Sequence, residues 1–189
     1  AAFIAGDYVP IDEARVPITD WGFLHSDVTY DVVAVWGGSF FRLQDHLDRF
    51  FRGIEKLHMH SPYDRAEMAA ILAECVGRSS IRDAYVKMIL TRGSPPKGQR
   101  DPRTCENQFY AFAIPYIWIT PPEKQELGIH LTISSIPRIS PDSVDPTVKN
   151  FHWGDMVQGI FEAFDRGAET PVLTDGRGNI TEGPGFNLF

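Results

Sequence analysis

Val32-Val-Ala-Val-Trp36 is followed by Gly37-Gly38 and Ser39-Phe-Phe-Arg42, a pattern that predicts a β-hairpin. The β-branched and aromatic residues on both sides are typical of strands, and the two glycines supply the turn between them. Directly after this hairpin the apolar residues recur with the period of an amphipathic helix, at Leu43, Leu47, Phe50, Phe51, Ile54 and Leu57. Two strands followed by a helix, rather than a strand–helix alternation, begin an α+β pattern.

The residues around this hairpin and helix extend the α+β pattern. Asp64 with Glu67 three residues later forms a capping box that begins a second helix, and Gly77 is the predicted C-cap. The sequence predicts a first hairpin at Phe3–Ile11, with Gly6-Asp7 as its turn. It also predicts two long strands, Ala84–Arg92 and Gln108–Ile119, on either side of a polar loop.

Pro121-Pro122 marks a predicted domain boundary, with a linker over residues 120–125. The chain is thereby divided into an N-terminal α+β domain, residues 1–119, and a second domain that begins at residue 126 and includes residues 126–189. In the second domain the sequence predicts a strand at residues 129–136, a helix at residues 155–166 that Gly167 ends, and a hairpin at residues 171–182. The segment Gly185–Phe189 is apolar and strand-like, so we expect more protein to follow it.

Composition excludes several classes of function. The 189 residues carry a formal charge of −7 at pH 7 without a basic run, which argues against nucleic acid as a partner. Cys75 and Cys105 lack metal-ligand spacing, and His58-Met-His60 has no carboxylate partner, so no metal site is predicted. No apolar run has transmembrane length, and Ala1–Pro10 lacks the pattern of a signal peptide. We therefore expect a cytoplasmic protein without a membrane partner.

One lysine lies in unusual surroundings, in the stretch Asp145-Pro-Thr-Val-Lys149-Asn-Phe-His-Trp153-Gly. Apolar and aromatic neighbours desolvate an ammonium group, which favours the neutral amine. A neutral lysine amine acts as a nucleophile on carbonyl groups or as a general base. The alternative is a surface lysine whose stem lies over the aromatic rings.

Three motifs occur in order along the chain: Asp45-His-Leu-Asp-Arg49, Thr147-Val-Lys149-Asn, and Thr181-Glu182-Gly-Pro-Gly-Phe-Asn187. Taken together they resemble the class IV, fold type IV, pyridoxal-phosphate aminotransferases. Within that family, His25-Ser-Asp-Val-Thr-Tyr30-Asp-Val and Phe40-Phe-Arg-Leu-Gln-Asp-His46 look most like the (R)-selective amine transaminases. The resemblance implies a small N-terminal α/β domain and the first part of a larger, barrel-like C-terminal domain that binds the cofactor. It also implies that further phosphate-binding loops follow Phe189.

The resemblance implies a role for each matching residue. Lys149 would join covalently to the aldehyde of pyridoxal 5′-phosphate and later move a proton. Arg49 would hold the phosphate, and Glu182 would pair with the pyridine nitrogen. Trp153, Phe186 and Asn187 would complete the cofactor site. From the residues alone, Arg49 could instead pair with Asp45 on a solvated helix face, and Glu182 could be an ordinary hairpin carboxylate.

The substrate pocket is predicted less directly. By the same resemblance, His25, Tyr30, Val32, Tyr85 and Trp153 would line it, although aromatic residues in strands are more often core. Lys87 occupies a strand position that the resemblance associates with an acidic residue in amine transaminases and with a lysine in aminodeoxychorismate lyases. If Lys87 enters the pocket it attracts a substrate carboxylate; otherwise it lies on an exposed strand face. Arg100 and Arg103 could form a mobile carboxylate clamp or belong to a solvated loop.

The activity implied is transfer of an amino group between a primary amine or D-amino acid and a 2-keto acid, with (R)-selectivity, in a homodimer. The alternatives are an aminodeoxychorismate lyase-like reaction, a branched-chain or D-amino-acid aminotransferase, and a non-catalytic protein that keeps the fold.

Overall fold

A computed structural model describes residues 1–189, and the chain divides into two compact units. The first unit contains residues 1–117 together with 147–151, and the second contains residues 118–146 and 152–189. The predicted linker, residues 120–125, contains one short helix, α4 (Pro122–Gln125). Residues 147–151, which the sequence assigned to the second domain, group with the first unit.

The first unit is built on one antiparallel sheet. Its strands are β1 (Ala2–Ile4), β2 (Asp7–Val9), β3 (Val28–Trp36), β4 (Ser39–Phe40), β5 (Ala84–Ser94) and β6 (Glu106–Pro115). Their order across the sheet is β2-β1-β6-β5-β3-β4, so the long strands β6, β5 and β3 lie at its centre. Both predicted hairpins are present: β3 pairs with β4 across Gly37 and Gly38, and β1 pairs with β2. The predicted turn of the first hairpin is wrong by one residue, because the turn is Ala5-Gly6 and Asp7 already pairs with Ile4.

Three helices belong to this unit: α1 (Trp21–His25), α2 (Leu43–Lys56) and α3 (Arg65–Ser79). The helices α2 and α3 cover one face of the sheet, where the core lies. Alternate residues of β3 and β5 point into this core, among them Val33, Val35, Val86 and Met88, all fully buried. The predicted apolar stripe of α2 forms the other side of this core, since Leu47, Phe50 and Ile54 are buried.

The capping box at the start of α3 is present as predicted. The Asp64 carboxylate accepts from the backbone N–H of Glu67, and the Glu67 carboxylate accepts from the backbone N–H of Asp64. The predicted C-cap is wrong: α3 continues past Gly77 to Ser79, and Ser80, with φ +56°, ends it in the left-handed conformation. Ser80 supplies that conformation without a glycine, so the glycine signal misplaced the helix end.

A glycine is required where β5 leaves its regular pairing with β6. Between Thr91 and Ser94 the register shifts, and Gly93 adopts φ +71°. A Cβ atom there would lie 1.8 Å from the backbone oxygen of Glu106, so any side chain would force the two strands apart. The polar loop that follows contains a short 3-10 helix, Pro102–Thr104.

The second unit contains α4, β7 (Leu131–Ile133), α5 (Gly154–Asp165) and β8 (Thr170–Val172). The strands β7 and β8 pair in parallel, with α5 between them in the chain. The predicted hairpin over residues 171–182 is looser than expected: β8 ends at Val172, and residues 173–175 meet residues 179–182 through a few backbone hydrogen bonds around the bridge Thr174–Ile180. No helix in the chain is both long and apolar enough to span a membrane.

Candidate functional site

Residues 147–151, here called the lysine segment, lie along the open edge of β3. The backbone oxygen of Lys149 accepts from the backbone N–H of Tyr30 at 3.1 Å and from the Thr29 hydroxyl at 3.0 Å. Val148 is buried, with 4% of its surface exposed. The backbone that carries Lys149 is therefore fixed to the strand by two hydrogen bonds and one buried side chain.

The helix α2 permits this close approach because residue 53 is glycine. A Cβ at Gly53 would lie 2.7 Å from the Thr29 Oγ1 and 3.7 Å from the Val148 Cγ1. One turn later, the Lys56 Nζ donates to the Thr147 hydroxyl at 2.5 Å. Helix α2 therefore contacts the lysine segment at two places, by close packing at Gly53 and by the hydrogen bond from Lys56 to Thr147.

Two lysine amines share one aromatic ring. The Lys149 Nζ lies 4.8 Å from the centroid of the Tyr30 ring, and the Lys87 Nζ lies 4.2 Å from the same centroid and 4.5 Å from that of Phe151. The electron-rich faces attract both ammonium groups, while each repels the other. Burial, and then the charge of Lys149, lower the pKa of Lys87 to about 8. Lys87 is therefore half-buried beside Lys149, and the interpretation of it as an exposed strand lysine is wrong.

Four of the predicted pocket residues lie on the face of the sheet opposite helices α2 and α3. Strand alternation turns Tyr30, Val32, Tyr85 and Lys87 to that face, since their neighbours point into the core. Val32 pairs directly with Lys87 across β3 and β5. Burial, with smaller effects of Tyr30 and Tyr116, raises the pKa of Tyr85 to about 12, so its hydroxyl is a neutral donor at neutral pH.

On the other face of β3, the Arg49 guanidinium is held by a buried carboxylate. Its Nε donates to the Asp31 Oδ2 at 2.7 Å, and its Nη2 donates to the Oδ1 at 2.8 Å. The His46 Nδ1 lies 2.9 Å from the same Oδ1. The Asp31 side chain has no exposed surface, whereas 46% of the Arg49 side chain is exposed. The suggested pairing of Arg49 with Asp45 is wrong, because Asp45 accepts from Arg42 instead.

The charges of this cluster stabilise each other. Burial by itself raises the pKa of Asp31, but the hydrogen bonds from Arg49 and His46 outweigh burial and lower the pKa overall. The hydrogen bond to Asp31 raises the pKa of Arg49. Asp31 is therefore an anion over the whole neutral range, and Arg49 is a cation with one edge turned to solvent.

In the second unit, Glu182 is bonded to an arginine that the sequence did not identify. The Arg138 Nε donates to the Glu182 Oε1 at 3.0 Å, and its Nη1 donates to the Asp155 Oδ2 at 2.8 Å. Burial lowers the pKa of Arg138, but the two carboxylates outweigh burial and raise it. The Glu182 side chain remains 41% exposed, so it is half-buried but accessible.

The other residues assigned to the cofactor occupy different positions in this unit. Trp153 precedes the first residue of α5, and Asn187 is exposed. The Phe186 ring fills the space beside Gly183, where a Cβ would lie 2.0 Å from the ring. Gly183 is thus required by its packing against Phe186.

The remaining candidates are exposed. His25 is exposed at the end of α1, with its ring 4.9 Å from that of Trp21. Arg100 lies in the exposed loop, and Arg103 pairs with Asp101 at 2.6 Å. His58 and His60 are exposed, and no group of three or more histidine, cysteine or acidic side chains is arranged to hold a metal.

Three residues of these clusters were not predicted: Asp31, its hydrogen-bond partner His46, and Arg138. Asp31 did carry a signal, because a charged residue inside the apolar strand Val28–Trp36 needs a partner. Arg138 follows a proline in an irregular stretch and offers no comparable pattern.

Comparison with known proteins agrees with these motifs. The profile of the Amino-transferase class IV family matches residues 29–189. A putative branched-chain-amino-acid aminotransferase of Methanocaldococcus jannaschii is 30% identical over 188 residues, which are 99% of this chain and 64% of that protein. A D-alanine aminotransferase of Listeria monocytogenes serotype 4b is 33% identical over 82 residues, 43% of this chain and 28% of that protein.

Solved structures share the fold. The T.th. branched-chain amino acid aminotransferase, crystallised with pyridoxamine 5′-phosphate, superposes with a TM-score of 0.85 at 21% identity, over 96% of this chain and 61% of that one. The enzyme of Thermoproteus uzoniensis with norvaline gives a TM-score of 0.83 at 22% identity, over 96% and 62% of the two chains. The chain spans less than two thirds of the length of these relatives. With a family match over most of its residues, this chain belongs to the class IV aminotransferases.

Proposed function

We propose that the protein containing this chain is a pyridoxal-phosphate-dependent aminotransferase that moves an amino group between a D-configured amino acid or (R)-amine and a 2-keto acid. The observation that carries the proposal is the Lys149 amine, held on a fixed backbone beside the Tyr30 ring and a second lysine. Family membership and the relatives named as aminotransferases support it.

The residues fit a phosphorylated pyridine aldehyde. When bound, that group supplies an electrophilic aldehyde and a ring that accepts negative charge. The Lys149 amine is proposed to form the covalent bond, because its backbone is fixed beside the Tyr30 ring and a primary amine is the nucleophile that attacks an aldehyde. The outer edge of Arg49 suits a phosphate because a planar guanidinium presents several donors.

Glu182 fits the remaining role, that of an anion facing a pyridine nitrogen. The Arg138 guanidinium donates a hydrogen bond to one of its oxygens, while the side chain stays accessible. Trp153, Phe186 and Asn187 are proposed to complete this part of the site.

Lys87 narrows the substrate class. It lies on the same sheet face as Tyr30, Val32 and Tyr85, and its ammonium is the kind of group that binds a substrate carboxylate. We therefore expect amino acids to be better donors than amines without a carboxylate. The variant Lys87→Met removes the charge at similar length and should raise KM for an amino acid about tenfold or more while leaving KM for a simple amine unchanged.

Lys87 also favours a second candidate, a lyase that eliminates from an aminated, carboxylate-rich substrate. The two reactions differ in their need for an acceptor, because transamination consumes a keto acid and elimination does not. Turnover of the full-length protein without any keto acid would favour the lyase. Branched-chain amino acids are the donors that the name of the Methanocaldococcus jannaschii relative suggests.

A half-reaction screen decides among these donors. The full-length protein, loaded with pyridoxal 5′-phosphate, is mixed with (R)-amines, (S)-amines, D-amino acids and L-amino acids, and loss of the visible absorbance band is followed. We expect the D and (R) series to react faster. Faster reaction of L-leucine or L-valine would replace the proposed stereochemistry, and a Lys149→Ala protein that keeps the band would refute the role of Lys149.

We further propose a homodimer in the cytoplasm. The exposed apolar side chains of Ile18, Phe23 and Leu24 support a protein partner on the first unit, and the two free cysteines suit a reducing compartment. Sedimentation of the full-length protein tests the assembly: a Phe23→Lys, Leu24→Lys variant should shift it towards the monomer, and a monomeric parent protein would contradict the proposal.

A further inference from the structure

We propose that Asp31, together with His46, is a positioning residue that holds the Arg49 guanidinium in the orientation needed to bind a phosphate group. The inference rests on the proposed function of Arg49. It gives a role to the buried Asp31 carboxylate, which is not proposed to contact the cofactor itself.

The first step is the burial of Asp31. Its side chain has no exposed surface, although it sits in a strand whose neighbouring core positions, Val33 and Val35, are apolar. Burying a carboxylate is costly, and an apolar side chain at residue 31 would avoid that cost. An interaction that only stabilised the fold would not need a charge at this position.

The second step is the geometry of Arg49. The carboxylate takes two of its five N–H donors, from Nε and Nη2, in a bidentate pair. This pairing occupies one edge of the planar group and turns the other edge, with three N–H donors, away from Asp31. Because 46% of the Arg49 side chain is exposed, nothing comparable to a packed core would otherwise restrict its rotamers.

The third step is the role of His46. It lies on α2 one turn before Arg49, and its Nδ1 contacts the same Oδ1 of Asp31 that Arg49 Nη2 uses. The backbone N–H of Val32 donates to that oxygen as well, at 2.7 Å. The carboxylate is thereby locked from three directions, so that its orientation, and that of Arg49, is set before any ligand arrives.

The test measures affinity for the phosphate group separately from the rest of the cofactor. Dissociation constants of the full-length apoprotein for pyridoxal 5′-phosphate and for pyridoxal are determined by absorbance titration, and the pyridoxal constant divided by the pyridoxal 5′-phosphate constant reports the phosphate contribution. In Asp31→Asn the freed arginine loses its fixed rotamer, and we expect the ratio to fall about tenfold to thirtyfold. Asp31→Glu keeps the charge and should recover part of the loss.

Removing the negative charge of Asp31 also strengthens the electrostatic attraction of the phosphate, which opposes the expected loss of phosphate affinity. Titration at about 0.5 M salt screens that attraction but not the loss of orientation. Asp45→Asn is the matched control, because it makes the same change of charge on the helix that carries Arg49, at an exposed pair with Arg42. Its ratio should stay at the parent value.

Arg49→Gln separates failure of the inference from failure of the proposed function. If Arg49→Gln abolishes the preference for the phosphorylated form and Asp31→Asn behaves like Asp45→Asn, the positioning role is refuted and Arg49 keeps its own. If Arg49→Gln leaves the ratio unchanged, Arg49 does not hold phosphate and both claims fall. Should Asp31→Asn not fold, His46→Gln is read in the same way, with an expected loss of about fivefold for one hydrogen bond and an unchanged ratio refuting the inference.

Discussion

Replacing Gly53 by alanine tests whether the close approach of α2 to the lysine segment is as tight as the distances indicate. The new Cβ would lie 2.7 Å from the Thr29 Oγ1 and 3.6 Å from the Thr29 Cβ. Thr29 is 1% exposed, and its hydroxyl donates to the Lys149 oxygen, so it has no room to retreat without losing that bond. Overpacking of this kind costs about 1–3 kcal/mol.

Gly77 provides the matched control. It also lies inside a helix, but a Cβ there meets nothing within 4 Å. Both substitutions gain the same helix propensity, about 0.5–1 kcal/mol, so the difference between them isolates the steric cost. We expect Gly77→Ala to stabilise the protein and Gly53→Ala to be about 2 kcal/mol less stable than Gly77→Ala.

The free energies of unfolding are measured by urea titration of the full-length protein, with the slope checked for each variant. A double-mutant cycle with Thr29→Ala identifies the contact, because removing the hydroxyl should remove most of the Gly53→Ala penalty. Equal stability of the Gly53→Ala and Gly77→Ala proteins, or additive effects in the cycle, would refute the packing described for the lysine segment.

Three further predictions concern single side chains. The pKa of Lys87 is lowered from 10.5 to about 8 in the folded protein, so the unfolded chain binds this proton more tightly and the charged lysine destabilises the fold at pH 7. This destabilisation is lost as the pH rises from 8 towards 10.5. Lys87→Met should therefore gain more stability at pH 7 than at pH 10, and a gain independent of pH would contradict this. Asp64→Ala removes half of a capping box and should cost about 1 kcal/mol in urea unfolding, whereas no loss would mean that the box is not formed in solution. Burial raises the pKa of Cys75 to about 11, so a thiol reagent at pH 8 should label the partly exposed Cys105 first and Cys75 only after unfolding; equal rates would be inconsistent with a buried Cys75.

The sequence predicted elements wherever a long periodic pattern met a clear turn or cap. The stripe from Leu43 to Ile54 and the capping box at Asp64 are local features, and both are present. A strand was predicted over residues 129–136, where β7 lies, but its parallel pairing with β8 was not, because that pairing depends on α5 between them in the chain. Gly77 failed as a C-cap since a serine adopts the left-handed conformation at the true end.

For the proposed site, motif order selected the candidate residues, but their partners depend on distant parts of the chain. Arg49 and Asp31 are 18 residues apart, and Arg138 and Glu182 are 44 apart. Spacing rules for helices describe only the nearest few residues, which is why Asp45 was the suggested partner of Arg49. The neighbourhood of Lys87 likewise depends on the pairing of β5 with β3 and on the lysine segment lying across Tyr30.

The hydrogen bond from the Tyr30 backbone to the Lys149 oxygen has a consequence for solubility. On its outer edge, β3 pairs only with the two-residue β4, at Val35 and Trp36. Without another cover, the first half of this edge would present unpaired backbone groups to a strand of another molecule. Residues 147–151 cover this half. Detaching the lysine segment would expose this edge to intermolecular β-pairing. The Lys149 Nζ is therefore best moved by rotation of its own long, flexible side chain while the main chain stays in place.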